Sequence, residues 1–509
     1  MGIDWRRTVV AIVVAGSGSA CTVGPDAHRP DVDAPTQWAA SRDPAASAGL
    51  ASRLVPRAAD GGRWWTVFGD PILDELIDTA QRENLDVAAA GLRIAQARAQ
   101  RDVTAAARYP TLQSTGVGAR LRSGAGGIGQ ALSGASSSGG SSGEASTSPI
   151  TANIFQVGFD ATWEPDLFGG TRRSVQASEA EIRAAEEQRH DAMVSLAAEI
   201  ARAYLSLRGA ERQRAIAMAD IASQQQLQAL VDSRNRSGLA PTSDVATQGV
   251  QVAAARARLP QIEQDLVVDR NRLALLLALP PGALDARLAT GALPAIPPEV
   301  PVGLPGDLLR RRPDIRRREA DVDAATARIG VATAALFPSI RFGAVGSLSS
   351  NRSADLFDWA SRFGLIGAQV TVPIFEGGRL RAQVRIADLR AQEAVLTYRQ
   401  TVLGAFHDVD DAMTTYAQEQ RRAVELGAQS SGSRRARDLA RDRYGSGLGA
   451  YIDVLNAEHQ VAQTEFDLAQ SAVAASTDLV ALFKALGGGW DVDGQAGDAE
   501  AAPGAPQVR

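Results

Sequence analysis

Few residues in this 509-residue chain could break bonds or hold a metal. Cys21 is the only cysteine, and the four histidines are His28, His190, His407 and His459. One thiol supports no intrachain disulfide and no multi-cysteine metal site. Four scattered imidazoles do not make a histidine metal centre. The nearest approach to a catalytic cluster is His407-Asp408 with Asp410-Asp411. On a helix Asp408 and Asp411 share a face, and a solvated or lumen-facing helix surface accounts for them. No catalysis, no metal and no resident cofactor is therefore expected. A net charge of −5 with 22% charged residues gives no basic patch of the kind nucleic acids require, so no nucleic-acid partner is expected either.

The elements around these residues are unusual. Only 5% of the chain is aromatic, and its hydrophobic 45% is dominated by alanine. Small side chains bury little area each, which favours thin helical packing over one thick core. Residues 1–20 read as a signal peptide: Arg6 and Arg7 precede a short apolar stretch, Thr8 to Ala15, and then Gly18, Ser19 and Ala20. A cysteine directly after small residues resembles the bacterial lipoprotein cleavage site. That resemblance implies a covalent lipid on Cys21 and, with Thr22 after it, an outer-membrane destination. Beyond this point no segment reaches 18 uninterrupted apolar residues, so no transmembrane helix is expected.

The chain is written twice. Asn84-Leu-Asp-Val87 matches Arg312-Pro-Asp-Ile315 at an offset of 228, and Tyr109-Pro-Thr-Leu112 matches Phe337-Pro-Ser-Ile340 at the same offset. Farther on, Gly169-Gly170 matches Gly377-Gly378 at 208, and Ser237-Gly-Leu239 with Asp244-Val245 matches Ser446-Gly-Leu448 with Asp453-Val454 at 209. The excess lies in the first copy and includes the Gly/Ser stretch at 134–148. Such composition cannot form a core and reads as a solvated loop. The implied division is a lipidated extended segment at 21–63, a first repeat at 64–302, a second at 303–487 and a disordered tail at 488–509.

Each copy reads helix, two strands, long helix, long helix. Period-two alternation marks Phe155 to Trp163, Ile340 to Leu348 and Ile366 to Ile374 as strands, each with one apolar and one mixed face. In the remaining strand, Thr111 to Leu121, the alternating apolar residues are Val117, Ala119 and Leu121. Segments of about ten such residues are the signature of membrane β-barrels. From Thr171 to Arg236 and from Arg379 to Tyr444 there is no proline. Each stretch would span roughly 100 Å as one helix. Spacings of three and four among Leu380, Val384, Ala387, Ala391, Val395, Tyr398, Val402, Ala405, Val409, Ala412 and Tyr416 predict a coiled-coil seam. Glycine-bearing turns then send a second helix back to about Leu279 or Leu486. Four strands from one chain leave two edges that a bilayer cannot satisfy, so the chain must oligomerise if these strands span lipid.

Residues carrying a family resemblance are spread over nearly the whole mature chain. They are Cys21-Thr-Val-Gly-Pro-Asp26, Trp64-Trp65 with Phe68 and Asp70-Pro71, and Trp163-Glu164 with Asp166-Leu-Phe-Gly169. To these add Arg311-Arg-Pro-Asp-Ile315, Ile329-Gly330 with Phe337-Pro338, and Pro373-Ile-Phe375 with Gly377-Gly-Arg379. With the Gly-Leu turns, this order resembles the TolC-like outer membrane efflux protein family, in its NodT-like lipoprotein branch. The resemblance implies an α+β membrane protein. Each protomer would give four transmembrane strands to a 12-stranded trimeric barrel, and its helices would form a coiled-coil tube across the periplasm. It implies a homotrimeric duct that works passively with a periplasmic adaptor and an inner-membrane pump. The competing expectation is a non-conducting, lipid-tethered periplasmic scaffold or adaptor, which has no use for four alternating strands.

The turns are where a long tube must dock. Arg234, Gly238 and Leu239 in the first, and Arg443, Gly447 and Leu448 in the second, are the candidate periplasmic tip, with a leucine beside each glycine. The resemblance implies that this tip receives the adaptor and closes the duct at rest. It also implies that Asp453 constricts the pore, with Asn456 standing where the family often has a second aspartate. With one acidic position per chain a weaker cation block is expected, and helix packing with hydrogen bonds near Tyr451 is expected to help shut the tip.

Overall fold

The computed structural model describes residues 22–41, 50–57, 62–123 and 150–490. The signal segment, Cys21, the Gly/Ser stretch at 134–148 and the tail beyond Trp490 lie outside the described residues. In chain order the main elements are β1 (Arg53–Val55), α1 (Pro71–Glu83), α2 (Leu85–Ala106), β2 (Thr111–Ser123), β3 (Ile150–Trp163), α3 (Gly170–Arg236) and α4 (Thr242–Leu276). There follow β4 (Glu299–Pro301), α5 (Pro313–Ala334), β5 (Ser339–Ser350), β6 (Arg362–Thr371), α6 (Arg379–Gly445) and α7 (Tyr451–Ala485). The long helices α3 and α6 each run 67 residues without a break, and α4 and α7 each run 35. The chain divides into two compact units, and each takes segments from both sequence copies.

One unit gathers Ala97–Glu181 and Val322–Glu393 with the N-terminal segment up to His28. Its centre is a four-stranded antiparallel sheet in the order β2-β3-β5-β6. Register places Phe155, Val157, Phe159, Ala161 and Trp163 opposite Ser350, Leu348, Gly346, Ala344 and Phe342. The same face continues onto β6 through Ile366, Ala368 and Val370. This face is apolar and left open: Phe159 is 60% exposed and Ile366 87%. The other face is mixed: Gln156 donates to Ser347 at 3.3 Å and Thr115 to Asp160 at 3.3 Å, beside exposed Val117, Ile154, Phe363 and Leu365.

Two strand expectations need correction. On β2 the alternating Val117 and Ala119 pair with Gln156 and Ile154, so they lie on the mixed face. The apolar face of β2 instead carries Leu112, Ser114, Gly116 and Gly118, whose glycines lie opposite Val157 and Phe155. With period two, a strand read one residue out of phase presents the wrong face. β6 ends at Thr371, short of the expected Ile374. Pro373 has no N–H for a ladder.

Arg173, near the start of α3, ties down the N-terminal segment in this unit. Its Nε donates to the Val23 carbonyl at 3.1 Å and its Nη2 to the Gly24 carbonyl at 3.0 Å. Phe168 and Phe337, one from each copy, stack with centroids 4.7 Å apart.

The other unit holds Arg29–Gln96, Ile182–Asp321 and the chain from Ala394 onward. The predicted seam of α6 is buried from Tyr398 through Val402, Ala405 and Val409 to Tyr416, with Met413 more deeply placed than Ala412. Among the described residues α7 is the one helix long and apolar enough to cross a bilayer. Its Val454, Leu479, Val480, Leu482 and Phe483 are buried in the protein, so that apolarity is spent on a core. β1 pairs in parallel with β4 across nearly 250 residues of chain. The last described residue, Trp490, is clasped between His190 at 4.3 Å and the Arg316 guanidinium at 4.9 Å, while its Nε1 donates to the Arg311 carbonyl. Gly487 and Gly489, both at positive φ, let the chain fold back to seat it.

Candidate functional site

Both long helices end in the same backbone device. Gly238 has φ of +72° and Gly447 of +74°. Gly238 N donates to the Asn235 carbonyl and Leu239 N to the Arg234 carbonyl; Gly447 N donates to Tyr444 and Leu448 N to Arg443. The bonds that reach back five residues are 2.8 Å long in both turns. This pairing is the Schellman motif, which satisfies the last helical carbonyls and needs a residue tolerant of positive φ. In that motif the residue after the glycine often makes an apolar contact back to the helix. Here the helix position holds Arg234 or Arg443, and the leucines stay outside: Leu239 is 68% exposed and Leu448 77%. Asp244 and Asp453 fall in the first turns of α4 and α7, next to the positive end of each helix dipole.

Behind the turns lies a small apolar core of Leu227, Val231, Tyr444, Tyr451, Val454 and Leu455. Arg234 closes it from one side. Its Nη1 donates to the Tyr444 carbonyl at 2.6 Å, and its guanidinium sits 4.5 Å from the Tyr444 ring centroid. From the other side the Tyr451 hydroxyl donates to Gln248 Oε1 at 2.7 Å, and Gln248 Nε2 donates on to the Gln224 carbonyl and to Gln224 Oε1, both at 2.9 Å. Burial, with Asp244 and Tyr444 adding to it, pushes the Tyr451 hydroxyl up to about 12. The Tyr444 hydroxyl is also raised, by burial first, with Arg234 opposing. One turn deeper, buried Glu458 on α7 accepts from Arg441 Nε and from Ser223 Oγ, joining α6 and α3.

The predicted tip residues therefore separate into two groups. Arg234 and Tyr451 both pack on Tyr444 in the interior of the tip, whereas Gly238, Leu239, Arg443, Gly447, Leu448, Asp453 and Asn456 are exposed around it. Tyr444, Gln248, Gln224 and Glu458 complete the network. The seam spacing reaches Tyr444, but nothing local marks a glutamine 203 residues from its tyrosine partner.

The Asp-rich stretch at 408–411 serves the fold. Arg312 donates to Asp314 at 2.8 Å, to Asp408 at 3.1 Å and to the Ala485 carbonyl at the end of α7. Asp410 accepts from the backbone of Ala40 at 2.7 Å. A cleft of about 370 Å³ beside Arg312 is lined by Asp191, Asp314, Asp408, Asp411 and Lys484. There burial, helped by Asp314, raises Asp191 above the usual carboxylate range. Among the described residues no cluster of histidine, cysteine, aspartate and glutamate could hold a metal ion.

A sheet with an open apolar face and two edges unpaired among the described residues, followed by helices of 67 residues that end in matched turns, is the TolC-like fold. The family model described as "Outer membrane efflux protein" matches residues 76–279 and again residues 304–488, and the chain belongs to that family. It is 32% identical to the outer membrane protein OprJ of Pseudomonas aeruginosa, over 95% of this chain and 96% of that one. It is 29% identical to a Salmonella typhimurium protein named "Probable outer membrane lipoprotein SilC", over 92% of this chain and 95% of that one. The solved structure of the outer-membrane channel OprN superposes with a TM-score of 0.79 at 33% identity, covering 92% of this chain and all of that one.

Proposed function

We propose that this chain is the outer-membrane duct of a tripartite efflux system, a passive trimeric conduit served by a periplasmic adaptor and an inner-membrane pump. The observation that carries the reading is the sheet. One face is apolar over three strands, the other is mixed, and both edge strands, β2 and β6, lack a partner among the described residues. Lipid cannot satisfy such edges, and closure through further copies can. Three copies give the 12 strands that the family resemblance implies. Exposed Leu396 and Leu403, one heptad apart on α6, supply apolar surface for a neighbouring helix.

Cys21 carries the lipid in this reading, residues 1–20 are removed, and the repeats divide at about 302. Leu239 and Leu448 meet the adaptor. Asp453 and Asn456 face the opening, and Arg234 and Tyr451 hold the tip shut from within. The deciding experiment is single-channel recording of the purified protein in planar bilayers. Stable conductance steps are expected, and their absence from correctly assembled protein would leave the tethered scaffold as the better account.

A further inference from the structure

The apolar face of the sheet changes character at one end. Along β3 it runs from Trp163 to Phe155, about 27 Å of strand and roughly 20 Å of height at a barrel tilt. Beyond that level β3 carries Asn153, and on β2 the residues sharing this face are Arg120 and Arg122. On β6 the corresponding face begins with Arg362, opposite Leu348. All three are exposed. The end in question is the one remote from α2, α3, α5 and α6, where the loop between β5 and β6 turns.

Arginines on an outward face at the end of an apolar band need a charged partner outside the protein. Among the described residues the side chains of Arg120 and Arg122 have no hydrogen-bond or ion-pair partner. They stand two residues apart on one strand, about 7 Å, a spacing that suits two phosphate oxygens on one headgroup. Arg362 is already set in place, with its guanidinium 3.8 Å from the centroid of Trp359. Stacking leaves the planar fork of N–H donors available at its edge, the geometry that binds phosphate in pairs of hydrogen bonds. Trp359 and Phe357, 79% and 77% exposed, supply the apolar and amphipathic surface that sits at a membrane interface. Asp355 and Asp358 share that loop, and they lie on the turn side of Trp359 rather than on the strand face with the arginines.

We infer that Arg120 and Arg122, completed by Arg362, form a binding site for the phosphate groups of a phosphorylated glycolipid in the outer leaflet of the outer membrane. The inference rests on the barrel reading above. Arg120 and Arg122 lie on edge strand β2 and Arg362 on edge strand β6. Closing the ring sets β6 of one copy against β2 of the next, so each site spans a junction between copies. Lipid binding there would fasten the seams of the ring.

The test is melting of purified full-length trimers, with conductance recorded on the same samples. The additives are a bis-phosphorylated lipid A in detergent micelles, the same lipid stripped of phosphate, and inorganic phosphate alone. The phosphorylated lipid is expected to raise the melting temperature of the parent. Its half-saturating concentration should rise about tenfold in R120Q/R122Q and in R362Q, and less in R120K/R122K, which keeps charge without the fork. Equal stabilisation of the parent and R120Q/R122Q overturns the site. Stabilisation by inorganic phosphate, or by the stripped lipid, to the same extent overturns the lipid assignment. A parent protein that forms no conducting ring overturns the barrel reading and this one with it, whereas a conducting R120Q/R122Q ring that still responds fully to the lipid overturns this one alone.

Discussion

The two turns at the helix ends share a backbone and differ in what their side chains do. Arg234 and Arg443 occupy equivalent positions, and the carbonyl of each accepts from the leucine after the turn glycine. Yet Arg234 crosses to the other copy and closes over Tyr444, while Arg443 stays exposed. Tyr451 in the second copy corresponds to Thr242 in the first, and the glutamine it reaches, Gln248, corresponds to Ala457. Duplication thus preserved what the backbone needs and released the side chains to become complementary. The first copy now supplies the arginine and the amide, and the second supplies two tyrosines.

The same lesson holds at the other equivalent junction. Asn84 caps α2 and its Nδ2 donates to the Leu276 carbonyl at the end of α4. Arg312, at the matching place, reaches the Ala485 carbonyl at the end of α7 and adds Asp314 and Asp408. An amide does for one copy what a charged fork does for the other.

The largest expected effect breaks the shared part. Leu448→Asp should abolish export while leaving the amount of assembled outer-membrane protein unchanged, as measured by accumulation of the exported compound and by blotting of unheated membranes; Leu239→Asp should act in the same direction. Export at the parent level from both variants would remove the leucines from the docking surface. Next comes the asymmetry. Arg234→Ala loses a ring contact and a hydrogen bond to a buried carbonyl, about 2 kcal/mol of tip stability. Arg443→Ala should stay within about 0.5 kcal/mol. Resting conductance and uptake of large antibiotics should rise in the first and not in the second, and equal behaviour would refute the division of labour.

A smaller effect follows from pH. The Tyr451 hydroxyl is raised from 10.0 to about 12. Its neutral form is therefore favoured by the closed tip, and the stabilisation is complete below pH 10 and is lost as the pH rises towards 12. Conductance should climb over that window in the parent and lose that step in Tyr451→Phe. The smallest expected change is from Asp453→Ala, a modest rise in resting conductance and a weaker block by divalent cations. A conductance matching the parent would place the constriction elsewhere.

Much of this architecture is legible in the chain. Proline-free stretches bounded by glycine turns place α3 and α6 to within a residue or two, because a helix that long has few ways to stop. The offsets between copies align the two turns. What local pattern misreads is β2, where the face is decided by register against β3 rather than by the strand's own alternation of Val117 and Ala119. The Tyr451–Gln248–Gln224 relay is equally hidden, since partner choice across 203 residues depends on how helices meet. The seam also drifts: Met413 replaces Ala412 in the core because 3.6 residues per turn do not keep step with a heptad over so many turns.

The clasp on Trp490 bears on when this unit can finish packing. Its indole is held by His190, Arg316 and the carbonyl of Arg311, side chains and backbone made long before it. Phe483, a few residues earlier, stacks on Trp64 at 5.1 Å. A chain emerging N-terminus first can form its local helices early, but contacts of such sequence separation wait for the far end to arrive. Part of the core of this unit is therefore made only after nearly all of the other described residues. A chain cut before Phe483 lacks both contacts, so the packing of this unit is completed late and not helix by helix.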